Sequence, residues 1–280
     1  MRQQKVIYNA YSLGTTAISA VPSVEISAQN IEQLKIGLMG QGTGTTASTL
    51  ATTLAELGNI KLTVGGEIET LVLMSDLFAL NYVLEIQPIL SEVPTYLLST
   101  TTDNTNAWIT FALPVFLTSD KKVYFYADAG TVAANTDNPV INLIAVFGDK
   151  PFGGKPWAVK YQQVNTATQW INPVDISLAG RKILGILAFS TTVTSTSASA
   201  GEASAGEIKI LVNKSEKVHT AWYSLPQPQC YIENTTLQAI LVKYRWIDCM
   251  DDPIPADNVQ ITCKSLYAAT DAVRFIVVYQ

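Results

Sequence analysis

Apolar and polar side chains alternate in short runs along this chain, and the runs return in a repeated order. Ile60-Lys61-Leu62-Thr63-Val64 alternates as a half-buried strand does, and Ile208-Lys209-Ile210-Leu211-Val212 does the same. Gly58 and Gly206 precede them by two residues. Upstream, Val24-Glu25-Ile26-Ser27 is answered by Val174-Asp175-Ile176-Ser177. Downstream, Trp108-Ile109 is answered by Trp246-Ile247, and Asp120-Lys121-Lys122-Val123 by Ala256-Asp257-Asn258-Val259. The octet Val140–Phe147 is answered by Ala272–Tyr279. The offsets fall in order, 150, 148, 138, 136 and 132 residues, so the second half reads as a trimmed copy of the first with shorter loops.

The pattern predicts strands at Val24–Ala28, Leu34–Met39, Ile60–Val64, Thr70–Leu73, Val83–Gln87, Trp108–Phe116, Val123–Ala129 and Val140–Phe147. Pro114 inside the sixth marks an edge or a bulge. Ser75–Leu80 has the look of a short helical turn, and Ser48–Leu57 of one short helix. In the second half the strands fall at Val174–Leu178, Ile183–Phe189, Ile208–Val212, Lys217–Trp222, Ala239–Trp246, Val259–Lys264 and Ala272–Tyr279. Pro226 and Pro228 break the chain where the first half has its helical turn. Both halves carry a long small-residue loop before the third strand, Gln41–Leu57 and Thr191–Gly206. Short strands separated by turn signals, without helices between them, describe sandwiches or barrels. The expected fold is all-β: two tandem eight-stranded barrels with a few short helices. Residues 1–20 show no clear period and read as an N-terminal arm. The first barrel spans 21–148, a Pro- and Gly-rich linker 149–172, and the second barrel 173–280. Trp157 and Trp170 in that linker are expected to pack between the barrels.

Composition sharpens this. Of 280 residues, 48% are hydrophobic but only 15% charged, against the usual quarter. A low-charge surface suits a protein much of whose exterior is covered by neighbours. The net charge of −5, with no basic run longer than Lys121-Lys122 or Arg181-Lys182, argues against direct nucleic-acid contact. Cys230, Cys249 and Cys263 have neither zinc spacing nor an even count, and read as reduced, buried thiols. No signal peptide is expected, since Met1–Lys5 leads into no long apolar run. The most apolar window, 68–90, is broken by Glu69, Asp76 and Glu85, which makes it core and not a membrane span.

Candidate chemistry is sparse. His219 is the one histidine, so no multi-histidine metal site exists, and no Gly-x-Ser-x-Gly elbow accompanies it. Gly42-Thr43-Gly44-Thr45-Thr46-Ala47 formally fits a nucleotide-loop pattern but lacks a βαβ setting and a Lys beside Ser or Thr. The carboxylate pair Glu67 and Glu69 could be read as a glycosidase couple, but nothing singles it out. Asp248, Asp251, Asp252 and Asp257 cluster beside a Pro-rich turn and are the calcium candidates, although their spacing matches no calcium motif and solvated turn aspartates are commoner. No catalytic residue and no other cofactor is expected. Asn213-Lys214-Ser215 and Asn234-Thr235-Thr236 fit the glycosylation sequon.

From Pro22 to Gln280 this organisation resembles the double jelly-roll major capsid proteins of tailless icosahedral viruses, the adenovirus-related lineage. It sits at the small end of that family, nearest the corticovirus-like and other membrane-containing phages. The resemblance rests on the doubled Val24–Ser27 and Val174–Ser177 runs, the doubled Ile60–Val64 and Ile208–Val212 runs, and both closing strands. It implies two jelly rolls side by side, a homotrimer of pseudo-hexagonal outline, and contacts with neighbouring capsomers and with minor capsid or penton proteins. An internal viral membrane would lie beneath, within reach of residues 1–20. The protein would be made in the host cytoplasm, reside in the virion and catalyse nothing. The competing expectation is a carbohydrate-binding tandem β-sandwich, spike-borne or lectin-like, with Trp157 or Tyr223 as an aromatic platform.

Overall fold

A computed structural model describes residues 3–14, 19–26, 31–42, 54–84, 89–90, 106–117, 122–130, 136–148, 155–164, 169–191, 205–228, 240–265 and 270–280. The chain divides into two compact units, one built mainly from Met1–Pro156, the other from Trp157–Gln229 and Gln238–Gln280.

The first unit begins with β1 (Gln3–Ser12), β2 (Val21–Ile26), β3 (Ile31–Gly42), β4 (Leu57–Val64) and β5 (Glu67–Leu73). Helix α1 (Met74–Val83) and the short β6 (Ile89–Leu90) follow, then β7 (Asn106–Leu117), β8 (Val123–Ala129) and β9 (Thr136–Phe147). One sheet runs β1-β9-β3-β7-β6, and a second run pairs β2-β8-β4-β5. Successive strands switch from one sheet to the other, apart from the β4–β5 hairpin and the short β6 beside β7. That is the jelly-roll connectivity.

The second unit has β10 (Lys155–Val164), β11 (Val174–Ile176), β12 (Lys182–Ser190), β13 (Ala205–Val212) and β14 (Ser215–Ala221). A 3-10 turn (Trp222–Ser224) takes the place of α1, and β15 (Tyr244–Asp248), β16 (Ile254–Pro255), β17 (Val259–Ser265) and β18 (Thr270–Tyr279) complete it. Its pairing runs β10-β18-β12-β15 and β11-β17-β13-β14, the order of the first unit.

The two copies agree residue by residue. Ile26 pairs with Val123 and Val123 with Val64, just as Ile176 pairs with Val259 and Val259 with Val212. β4 and β13 bury the same positions of their eight. Even the irregularities are shared. The β4–β5 pairing slips between Leu62 and Thr63, and the β13–β14 pairing between Ile210 and Leu211. The β3–β9 pairing slips between Ile31 and Gln33, and the β12–β18 pairing between Ile183 and Gly185. A bulge bends and twists its strand locally, so inheriting it keeps the sheet's curvature.

Each unit closes over its own apolar core. In the first, Ile26, Leu34, Ile36, Ile60, Leu62, Phe125 and Leu143 lose all contact with solvent. In the second, Ile186, Ile208, Ile210, Trp222, Ile261, Phe275 and Val277 form one continuous cluster. At about 25 cal/mol per Å² of apolar surface, each fully buried Ile or Phe contributes about 1.5–3 kcal/mol.

Several expectations are corrected. Residues 3–12 are a strand paired with β9 and not an arm. Their period-2 signal is broken by register shifts at Val6/Tyr8 and Tyr8/Tyr11 and by a left-handed Ala10 (φ 49°). The supposed linker contains β10, whose counterpart by strand order is β1. Trp170 lies on the second unit's own sheet. Val83 ends a ten-residue helix, longer than the turn expected there, and starts no strand; 85–88 lie outside the described residues. Residue 240 is helical and the strand expected from 239 begins at Tyr244. The Trp108–Trp246 echo is four residues out of step. Leu34 pairs with Leu113 and Ile186 with Ile247, which sets Trp246 level with Ala112. Pro114 does fall at a slip in the β3–β7 pairing.

Candidate functional site

The outward face of the sheet β11-β17-β13-β14 gathers a connected set of polar side chains in the second unit. Gln169–Ile171 zips onto β17: the amide of Ser265 donates to Gln169 O and that of Ile171 to Cys263 O. This lays the Trp170 ring across the neighbouring strands, with Lys209 Nζ 4.4 Å from its centre and the His219 ring 5.6 Å away, edge-on. Lys209 also meets Glu216 at 3.2 Å. Glu207 lies 2.8 Å from Lys264 Nζ and 2.8 Å from His219 Nε2. His219 Nδ1 faces Glu216 at 3.4 Å. The hydrogen bond from Lys264, seconded by His219, holds the Glu207 carboxyl below its ordinary value.

With both ring nitrogens turned to carboxylates, His219 is not set to activate a hydroxyl. The nearby Thr220 and Ser224 hydroxyls bond to each other at 2.8 Å. The cluster binds β13, β14 and β17 together; it has no nucleophile–base geometry.

The first unit has the counterpart. Lys61 pairs with Asp128 at 3.0 Å, Asn59 Nδ2 donates to the same carboxylate at 3.0 Å, and Lys61 lies 4.9 Å from the centre of the Tyr126 ring. Burial works to raise the Asp128 carboxyl, and the bonds from Asn59 and Lys61 outweigh it and hold it low. By register Asp128 stands where Lys264 does, so the duplicated surfaces have diverged in sign.

The calcium candidates are not brought together. Asp248 accepts from the Met250 amide at 2.9 Å, Asp252 pairs with Lys217 at 2.8 Å, and Asp257 accepts from the Gly180 amide at 3.4 Å. Among the described residues no three Asp, Glu, His or Cys side chains form a group that could hold a metal ion. Glu67 is exposed and Glu69 half-buried on the same strand. Tyr223 is exposed, whereas the side chain of Trp157 lies outside the described residues, as do Thr43–Ala47 and Asn234. Asn213 sits at an exposed hairpin tip beside a shallow polar pocket lined by Asp175, Lys214, Asn258 and Gln260.

The chain has the double jelly-roll fold, defined by two units of equal connectivity and equal register. Among solved structures it is similar to the STIV MCP, at a TM-score of 0.71 and 12% identity over 100% of this chain and 96% of that one. It is also similar to PBCV-1 Vp54 as fitted into the virophage Sputnik, at 0.59 and 11% over 100% and 93%. A third is the major capsid protein P2 of bacteriophage PM2, at 0.54 and 12% over 100% and 97%. No protein-family profile and no curated protein matches the sequence.

Proposed function

We propose that this protein is the major capsid protein of an icosahedral virus, assembling as a pseudo-hexagonal homotrimer that tiles the shell over an internal membrane. One observation carries the reading: the fold of solved major capsid proteins extends over the whole chain, at a TM-score of 0.71 for the STIV MCP. Doubling gives the physical logic, because three chains with two like barrels each present six like faces and fill a six-fold environment. Strand edges are blunted against stray pairing. β14 ends its sheet and carries Glu216, Lys217 and His219, and charge on an edge discourages strand addition.

The protein acts as a building block in the virion, beside minor capsid or penton proteins, after synthesis in the host cytoplasm. Its acidic balance, −5, suits a coat that does not touch the genome directly. Light scattering of the purified chain tests the reading. A species near 90 kDa, three times the 30.3 kDa chain, is expected. A stable monomer that binds glycans on an array would replace it with the lectin-like alternative.

A further inference from the structure

Among the described residues of the second unit, Arg245 is the buried cation, only 5% exposed. It lies two residues before Ile247 on β15, on the core-facing side of the strand, and pairs with Ala188. Its Nη1 is fully used, donating to Val242 O at 2.9 Å and Tyr244 O at 2.7 Å. Its Nε is buried with no acceptor. No carboxylate among the described residues pairs with it. The rings of Tyr223 and Trp222 lie 5.6 and 5.8 Å from Cζ. Those contacts offset only part of the cost of removing the charge from water. Burial accordingly pushes the guanidinium pKa down. The Trp222 indole Nε1, also buried, has no acceptor either.

The duplication shows that the barrel does not need a cation here. Ile36 pairs with Phe111 where Ala188 pairs with Arg245, so at the matching register position the first unit has an apolar residue in place of the cation. The second unit has placed a guanidinium there and left one edge of it unanswered. With Nη1 committed to carbonyls, the remaining edge is the Nε–Nη2 fork, whose two parallel N–H groups match the two oxygens of a carboxylate. Tyr223 and Val242 beside it are 55% and 39% exposed, so the groups next to that edge are at the surface.

We propose that Arg245 is a docking point for a carboxylate, gripped side-on by Nε and Nη2. Two sources share that chemistry: a free carboxylate anion, and an Asp or Glu side chain of a second copy of this chain, which has 23 acidic residues against 18 Lys and Arg. Only the second source rests on the capsid reading.

The test uses the full chain and sodium acetate as the probe, with sodium chloride at equal ionic strength as reference. Acetate is expected to raise the melting temperature saturably, by about 2–4 °C above chloride, because it binds only the folded state. The Arg245→Met chain, checked for folding by circular dichroism, loses that rise. Arg245→Lys, which keeps the charge but not the fork, loses it too and serves if the methionine variant does not fold. In parallel the Arg245 Nε–Hε resonance moves on adding acetate. If a second copy supplies the carboxylate, the same resonance moves in chloride as the chain associates, and Arg245→Met associates only at higher concentration. A resonance that ignores both acetate and association, with equal melting in the two salts, overturns the site; a trimer formed under those conditions leaves the capsid reading intact. An acetate response in a chain that stays monomeric upholds the site and counts against the capsid reading alone.

Discussion

The indole ring of Trp246 lies directly against the backbone of Gly185, so closely that a methyl group on Gly185 would overlap its Cη2 and Cζ2 atoms. The two residues are on the paired strands β12 and β15, and Trp246 is only 7% exposed there. Glycine is needed here for want of a side chain, not for its backbone freedom. Gly185→Ala should therefore destabilise the second unit by about 1–3 kcal/mol, the usual cost of overpacking, read from the urea midpoint. Shortening the ring with Trp246→Leu in the same chain should recover part of the loss. An unchanged midpoint in Gly185→Ala would contradict the close approach.

The two hairpin tips offer a matched experiment. Val64 pairs with Glu67 across Gly65-Gly66, and Val212 with Ser215 across Asn213-Lys214. All four turn residues have left-handed φ: 60° and 94° in the first tip, 50° and 66° in the second. Two such residues make the type I′ turn that matches strand twist, and Asn-Gly is its preferred pair. Lys214 thus holds a conformation that costs a residue with a Cβ about 1–2 kcal/mol. Lys214→Gly should raise stability by about 0.5–1 kcal/mol after the entropy of the added glycine is counted, and Gly66→Lys should lower it by a similar amount. Equal denaturation midpoints for all three chains would refute the assignment of strain.

Those tips also show what could be read from the sequence. Ile60–Val64 and Ile208–Val212 were legible because one face of each strand is buried, which imprints a period of two. The register between copies followed, since Ile26, Val64 and Val123 recur in the same order as Ile176, Val212 and Val259. β1 was illegible because it is bulged and largely exposed; Val6 is 58% exposed, so no apolar rhythm marks it. α1 looked like a strand at its end because buried residues run along nearly its whole length, leaving no polar stripe to show a helical period. Arg245 gave no signal at all: a lone Arg between Tyr244 and Trp246 reads as an outward strand residue. Only its place opposite Ala188 exposes it as a buried charge.

The thiols of Cys249 and Cys263 are 7% and 1% exposed. Burial pushes the first up to about 11, with Asp248 and Asp252 adding to the shift, and the second up to about 12. The thiolate is the reactive form, so neither should react in the folded chain at pH 8. Alkylation with iodoacetamide followed by peptide mass spectrometry should find both unmodified until urea unfolds the chain. Native-state labelling at Cys263 would show that the second core is more open than described.

Glu207 sets the expected acid limb of stability. Its carboxylate receives Lys264 and His219, and the lowered pKa means that the folded state holds it ionised below its ordinary value of 4.5. A carboxyl depressed by folding adds stability that is fully present above the unfolded value and is lost as pH falls through the folded one. The difference in urea midpoint between the native chain and Glu207→Gln should thus be largest at pH 5 and above. It should shrink as pH falls below 4.5. The ion pairs are solvent-exposed, so added salt should narrow the difference at every pH. A gap that keeps its size from pH 5 down to pH 3 would mean that Glu207 acts through packing and not through its charge.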